Sequence, residues 1–283
     1  MAPSRTAFPR QRRQTLLLMR VVRGQVPVQL AVDVDLTAVT ADRSLTPPSE
    51  HPASITSYLV LCAARALGGF PQARTLSTGR LRPRRYGPGP TTVKVVLDAT
   101  HAGERFVAAH LVTDADRRPL ADLDTDLRAA AAAGRDGRTA PADLRALWRL
   151  PFPLAALAFA LATRPSRRLD RLGALTVSNL GARGVHQVAP LGGSPLSLGI
   201  GAVRQAVVPG DQGPQVRPVL TLTLVFDHRS LDGALAADLL ADLVHRVENW
   251  PARRPGPPAG VGAGPPDPHP PLPDPAGLAP AGR

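Results

Sequence analysis

His228 and Asp232 stand four residues apart in the stretch 219–233, VLTLTLVFDHRSLDG. An imidazole titrates near neutral pH and can exchange a proton at either ring nitrogen, which suits a general base. A carboxylate four residues on can orient such a ring or brace the turn that carries it. The spacing alone is weak, because His110 and Asp114 repeat it. Composition yields roughly half a chance match of this kind, and about 0.04 once a following glycine is required.

The elements around the motif sharpen it. Residues 219–226 read as a strand that delivers Asp227, His228 and Arg229 to its end. Asp232 and Gly233 close a turn, and a helix over 234–250 turns Leu235, Leu239, Leu240, Leu243 and Val247 to a core. Residues 1–9 read as a loose terminus. A helix over 10–22 is followed by a strand over 28–36 with Asp33 and Asp35 on one face, then a loop over 43–52. Ser54 caps a helix over 55–67. A loop is expected over 80–90, and strands over 93–97 and 106–112 form a hairpin. Pro119 opens a helix to about residue 133, and 134–139 is a break. Helices are expected over 142–150 and 154–163, within an apolar insert over 140–169. The second is apolar all round, so it packs into a core, lines a pocket or touches a surface such as a membrane, with core packing the expectation. Strands return at 174–178 and 196–203, and 207–216 reads as a turn. The last 33 residues hold 12 prolines and 6 glycines, too few large apolar groups to bury a core, so 251–283 is expected as a disordered tail.

Composition narrows the classes. A chain of 283 residues with 43% hydrophobic residues can bury a substantial core, and 4% aromatics leaves Leu, Val and Ala to fill it. Lys+Arg 34 against Asp+Glu 22 gives +12. The arginines are scattered and fall in no helix-turn-helix or ribonucleoprotein pattern, so no nucleic-acid partner is expected. An anionic substrate accounts for positive charge as well. The single cysteine, Cys62, excludes an internal disulfide and a cysteine-based zinc cluster, and no metal is expected. No signal peptide and no membrane span is read, which gives a cytoplasmic location.

The segment DHRSLDG resembles the DHRxxDG signature of the catalytic domains of 2-oxoacid dehydrogenase acyltransferases (dihydrolipoamide acyltransferases), relatives of chloramphenicol acetyltransferase. LTVSNLG at 175–181, followed by GVHQVAPL, resembles a second stretch of that family at the proper interval. The resemblance covers residues 10–250 as one catalytic domain. It implies an α/β two-layer sandwich like chloramphenicol acetyltransferase, with a mixed sheet flanked by helices.

The resemblance also implies roles. His228 would be the general base for direct acyl transfer from acetyl-CoA or another acyl-CoA. Ser178 would donate a hydrogen bond to the tetrahedral oxyanion, with Asn179 sharing that role. Asp232 would brace the turn by an ion pair to Arg12 or Arg13. Asp227 and Arg229 would be structural, and Gly233 would let the helix start tightly. The family's site lies between subunits of a homotrimer, histidine from one chain and serine from its neighbour. Several features depart from the family. No lipoyl or subunit-binding domain is recognised, the insert is longer and more apolar than the usual connection, and the tail is proline-rich. They point to a stand-alone form resembling natural-product (tetronate-type) O-acetyltransferases, acting on a small-molecule hydroxyl. The alternatives are transfer to the dihydrolipoyl group of a separate carrier protein, and an idle scaffold of the same fold.

Overall fold

The computed structural model describes residues 8–47, 49–79, 81–135, 142–210 and 213–251. In chain order the elements are α1 (Arg13–Val22), β1 (Pro27–Asp35), α2 (Thr37–Ser44), α3 (Ile55–Gly69), β2 (Leu76–Thr78), β3 (Arg84–Tyr86), β4 (Val93–His101), β5 (Glu104–Val112), α4 (Leu120–Arg135), α5 (Ala142–Arg149), α6 (Phe152–Ala162), α7 (Pro165–Leu172), β6 (Leu175–Asn179), β7 (Leu196–Ile200), β8 (Arg204–Val208), β9 (Gln215–Asp227) and α8 (Gly233–Glu248). The expected tail lies outside the described residues except Pro251, as do 136–139 of the expected break and 1–7 of the N-terminus.

One mixed sheet runs β1-β9-β7-β6-β4-β5, with β8 alongside β9. The β4–β6 and β6–β7 pairs are parallel, and the others are antiparallel. β9 is the hub. Its outer half pairs with β8, its inner half with β7, and its whole inner length with β1.

Alternation along β9 decides which side is which. Leu220, Leu222, Leu224 and Phe226 enter the main core with Leu196, Leu198 and Ile200 of β7 and Leu175 and Val177 of β6. Helices α3, α4 and α8 cover this face. α3 earns its place locally: the Ser54 hydroxyl accepts from the Ser57 N–H, and its interior is almost wholly buried. Cys62 lies inside it, and burial pushes its thiol up to about 12, so it is no nucleophile at neutral pH. The opposite sheet face carries Lys94, Thr176, Ser178, Ser197, Thr221 and Thr223. The loop over 184–195 closes on part of it. A methyl group at Gly199 would overlap the Val188 carbonyl, which requires glycine there. Lys94 is buried and donates to the Gly192 carbonyl.

Several expectations need correction. Helix α6 is not in the main core. The helices above already cover the sheet's apolar face, so α6 packs on α1 through a small cluster that includes Leu17, Ala155 and Phe159. Its Leu154, Leu157 and Leu161 stay 52%, 57% and 58% exposed. The turn expected over 207–216 is shorter, because β8 and the start of β9 pair through most of it. The loop over 80–90 contains β3, paired with β2. Helices α2 and α7 were not read from the sequence.

Candidate active site

The motif sits where β9 leaves the sheet. The N–H groups of Ser230 and Leu231 both bond back to the Asp227 carbonyl, which closes a tight turn. Asp227 is the anchor of that turn. Its side chain is 0% exposed. It accepts from Arg229 Nε (2.9 Å) and Nη2 (2.5 Å), and from the N–H of Val26 (3.2 Å). The Asp227 carboxylate holds the Arg229 guanidinium above its ordinary range. Within the chain this ion pair ties the side chain of Arg229 to the turn.

His228 follows with its side chain exposed. Its N–H donates to the Val26 carbonyl (2.9 Å), and its ring lies 5.7 Å from that of Phe226. The loop between α1 and β1 therefore grips the motif on both sides of the histidine. The rival pair at 110 and 114 does not form. His110 lies 3.0 Å from Asp126, and Asp114 occupies a left-handed turn.

Ser178 is half-buried on the polar face of β6, and its hydroxyl has no hydrogen bond among the described residues. It is distant from His228 of the same chain. Ser178 pairs with Gly199, and Gly199 with Thr223, which lies five residues before His228. Two strand steps across and five residues along place them roughly 17–20 Å apart. One chain alone does not bring this pair together.

Other expected residues fall differently. Asn179 spends its side chain within the chain. Its amide donates to Thr56 Oγ1 (2.8 Å), and its carbonyl oxygen accepts from the Gly181 N–H (2.8 Å), so it braces the turn after β6. Asp232 precedes α8 with no side-chain cap bond and, among the described residues, no ion pair. Arg13 instead donates to the Leu150 carbonyl (3.1 Å), and Arg12 is exposed, so neither pairs with Asp232 within the chain. A side chain at Gly233 would begin in open space, so the helix start does not by itself require glycine.

A cleft of about 420 Å³ opens beside the motif and was not read from the sequence. Arg229 forms one end of it, α1 one wall, and α6 with the start of α7 the other. The recoverable signal was Pro165 at a helix start, with Leu169 and Leu172 three residues apart and Arg167, Arg168 and Arg171 in the same eight residues. Among the described residues no cluster of three or more His, Cys, Asp or Glu could hold a metal. No described helix is long and apolar enough to cross a membrane.

Comparison with known proteins matches residues 170–252 to the family of 2-oxoacid dehydrogenases acyltransferase (catalytic domain). The acetyltransferase component of the pyruvate dehydrogenase complex from Rickettsia prowazekii is 24% identical over 199 residues, 69% of this chain and 40% of that protein. The same component from Rhizobium meliloti is 39% identical over 79 residues, 27% of this chain and 18% of that protein. The chain thus spans about 40% of the length of relatives such as the Rickettsia protein. Two solved structures share the fold. A probable dihydrolipoamide acetyltransferase from Listeria monocytogenes superposes with a TM-score of 0.66 at 19% identity, over 87% of this chain and 95% of that one. The dihydrolipoamide acetyltransferase of Azotobacter vinelandii gives 0.62 at 17% identity, over 87% and 92%. That enzyme was studied for the catalytic roles of a serine, a histidine and an asparagine. Residues 170–252, which carry both Ser178 and His228, match the model of 2-oxoacid dehydrogenase acyltransferase catalytic domains, and the described chain shares the mixed α/β fold of the solved dihydrolipoamide acetyltransferases.

Proposed function

We propose that the chain is an acyl-CoA-dependent acyltransferase whose site forms between copies of the chain in a homotrimer. The carrying observation is the separation of Ser178 from His228: both side chains are accessible, and they lie at distant points of one sheet. A neighbouring copy would supply the missing half of each site. In sequence the Azotobacter enzyme's serine and histidine are about as far apart as Ser178 and His228, and its asparagine lies four residues past the histidine, as Asp232 does here.

In this reading the His228 imidazole removes the proton from the acceptor as its oxygen or sulfur attacks the thioester carbonyl. The Ser178 hydroxyl donates to the resulting oxyanion. Collapse expels the coenzyme A thiolate, which takes the proton back from the imidazolium. No acyl-enzyme is required. The buried Asp227–Arg229 pair fixes the turn so that His228 is held by backbone bonds and its ring stays free to exchange a proton.

Two acceptors fit. The names of the relatives favour a dihydrolipoyl thiol on a separate carrier. The cleft beside the motif favours a small-molecule hydroxyl. The test is thiol release from acetyl-CoA with dihydrolipoamide and with small alcohols. His228→Gln should lower turnover by about 10²–10⁴-fold. A variant as active as the parent would reject the assignment.

A further inference from the structure

The cleft beside the motif has an unusual lining. Leu17 and Val21 of α1 face Ala156 and Phe159 of α6 across it. Its polar lining includes Arg20, Arg164, Arg168 and Arg229, and no carboxylate is among the residues that line it. The α6 wall lies outside the residues matched to the family, which begin at 170.

The guanidinium groups are not all neutralised within the fold. Arg229 spends Nε and Nη2 on Asp227, and its Nη1 lies on the side of Gly24, which also lines the cleft. Arg168 spends only Nε, on the Thr163 carbonyl (3.3 Å). Arg20, Arg164 and Arg168 make no ion pair among the described residues, though Arg20 rests on the Phe152 ring at 5.3 Å. Burial, and then the nearby charge of Arg229, depress the Arg168 pKa below its ordinary range. An oxyanion between the two groups would relieve both effects.

We propose that this cleft binds a small anionic amphiphile, its apolar body on Leu17, Val21, Ala156 and Phe159 and its oxyanion head between Arg168 and Arg229. The cleft volume of about 420 Å³ falls within the range of small-molecule sites. Arg229, which lines the cleft, is the residue after His228, while His228 itself is not among the lining residues. The binding claim stands on the cleft itself, and the role of the ligand as acyl acceptor rests on the acyltransferase reading above.

The test uses the full chain and monomeric octyl phosphate in titration calorimetry, with octanoate, octanol, inorganic phosphate and coenzyme A as comparisons. Saturable one-to-one binding is expected, with octyl phosphate at least about tenfold tighter than octanol, the scale of a hydrogen bond to a charged group. Octanoate should follow octyl phosphate if the shared requirement is an oxyanion. Arg168→Gln should weaken binding by about tenfold or more. Ala160→Trp, placed on the exposed rim, should block the cleft without unfolding the chain, as thermal melting would check. His228→Gln should leave binding intact. Absence of saturable binding, or affinity unchanged in both cleft variants, overturns the proposal. So does displacement of octyl phosphate by coenzyme A with equal sensitivity to Arg168→Gln, which would make the cleft part of the coenzyme site. Binding only to anionic vesicles also overturns it and assigns the exposed leucines of α6 to a membrane surface. Amphiphile binding without any acyl transfer would keep this site and reject the acyltransferase reading.

Discussion

Ser178 of β6 and His228 at the end of β9 share one sheet but are separated along it, linked through the pairings of Ser178 with Gly199 and Gly199 with Thr223. A reaction centre needing both must draw them from two chains. Mixing Ser178→Ala chains with His228→Gln chains, each inactive, should therefore restore activity after subunit exchange. Random exchange in a closed ring should recover about a quarter of the sites. Activity of the mixture no higher than that of either variant alone would place the two residues in separate roles.

Asp227 carries a fully buried carboxylate that ties Arg229 and the Val26 N–H into one turn. Breaking a buried ion pair from one side costs about 3–5 kcal/mol, and partial exposure of Arg229 lowers the expected loss to about 2–3 kcal/mol. Asp227→Ala should show this in urea unfolding, together with lowered turnover. Retained stability would show that the turn is held by its backbone bonds alone.

Lys94, the only lysine in the chain, is buried, and its pKa is pushed down from 10.5 to about 7. In the unfolded chain it stays protonated up to the higher value, so between the two values the unfolded state binds more protons. Stability from this group is full above about 10.5 and is lost as pH falls towards 7. Its contribution should change by about 1.4 kcal/mol per pH unit within that window. Lys94→Met should flatten the dependence of unfolding free energy on pH between 7 and 10. An unchanged slope would remove Lys94 as its source.

Among the described residues Asp232 makes no ion pair, so Asp232→Asn should leave unfolding free energy within about 0.5 kcal/mol of the parent. Turnover should persist, since the amide keeps the shape of the side chain. A large loss of stability would reveal a partner from another copy.

Much of this was legible in the sequence because the physics is local. The alternation in LTLTLVF names the two faces of β9, Ser54 marks the start of α3, and Ala102-Gly103, both at positive φ, turn the β4–β5 hairpin. The two motifs pointed to Ser178 and His228 as candidates. What stayed hidden depends on distant parts. Uniform apolarity in α6 shows that it must be covered without showing by what, and the sheet face it would have used was already taken. The partners of Asn179 and Asp227 come from α3 and from the loop before β1, far away in sequence. That Arg168 and Arg229 line one cleft leaves no trace in spacing.

The placement of β9 has a consequence for synthesis. Pro27 of β1 pairs with Asp227, and β6 and β7 join β1 only through β9. A ribosome working at about 5–20 residues per second leaves β1 waiting roughly 10–40 s for its partner. During that interval an unpaired, partly apolar strand edge is open to other nascent chains. The hub that shapes the proposed reaction centre thus also exposes the newborn chain to mispairing, and dilute or chaperoned synthesis should raise its soluble yield.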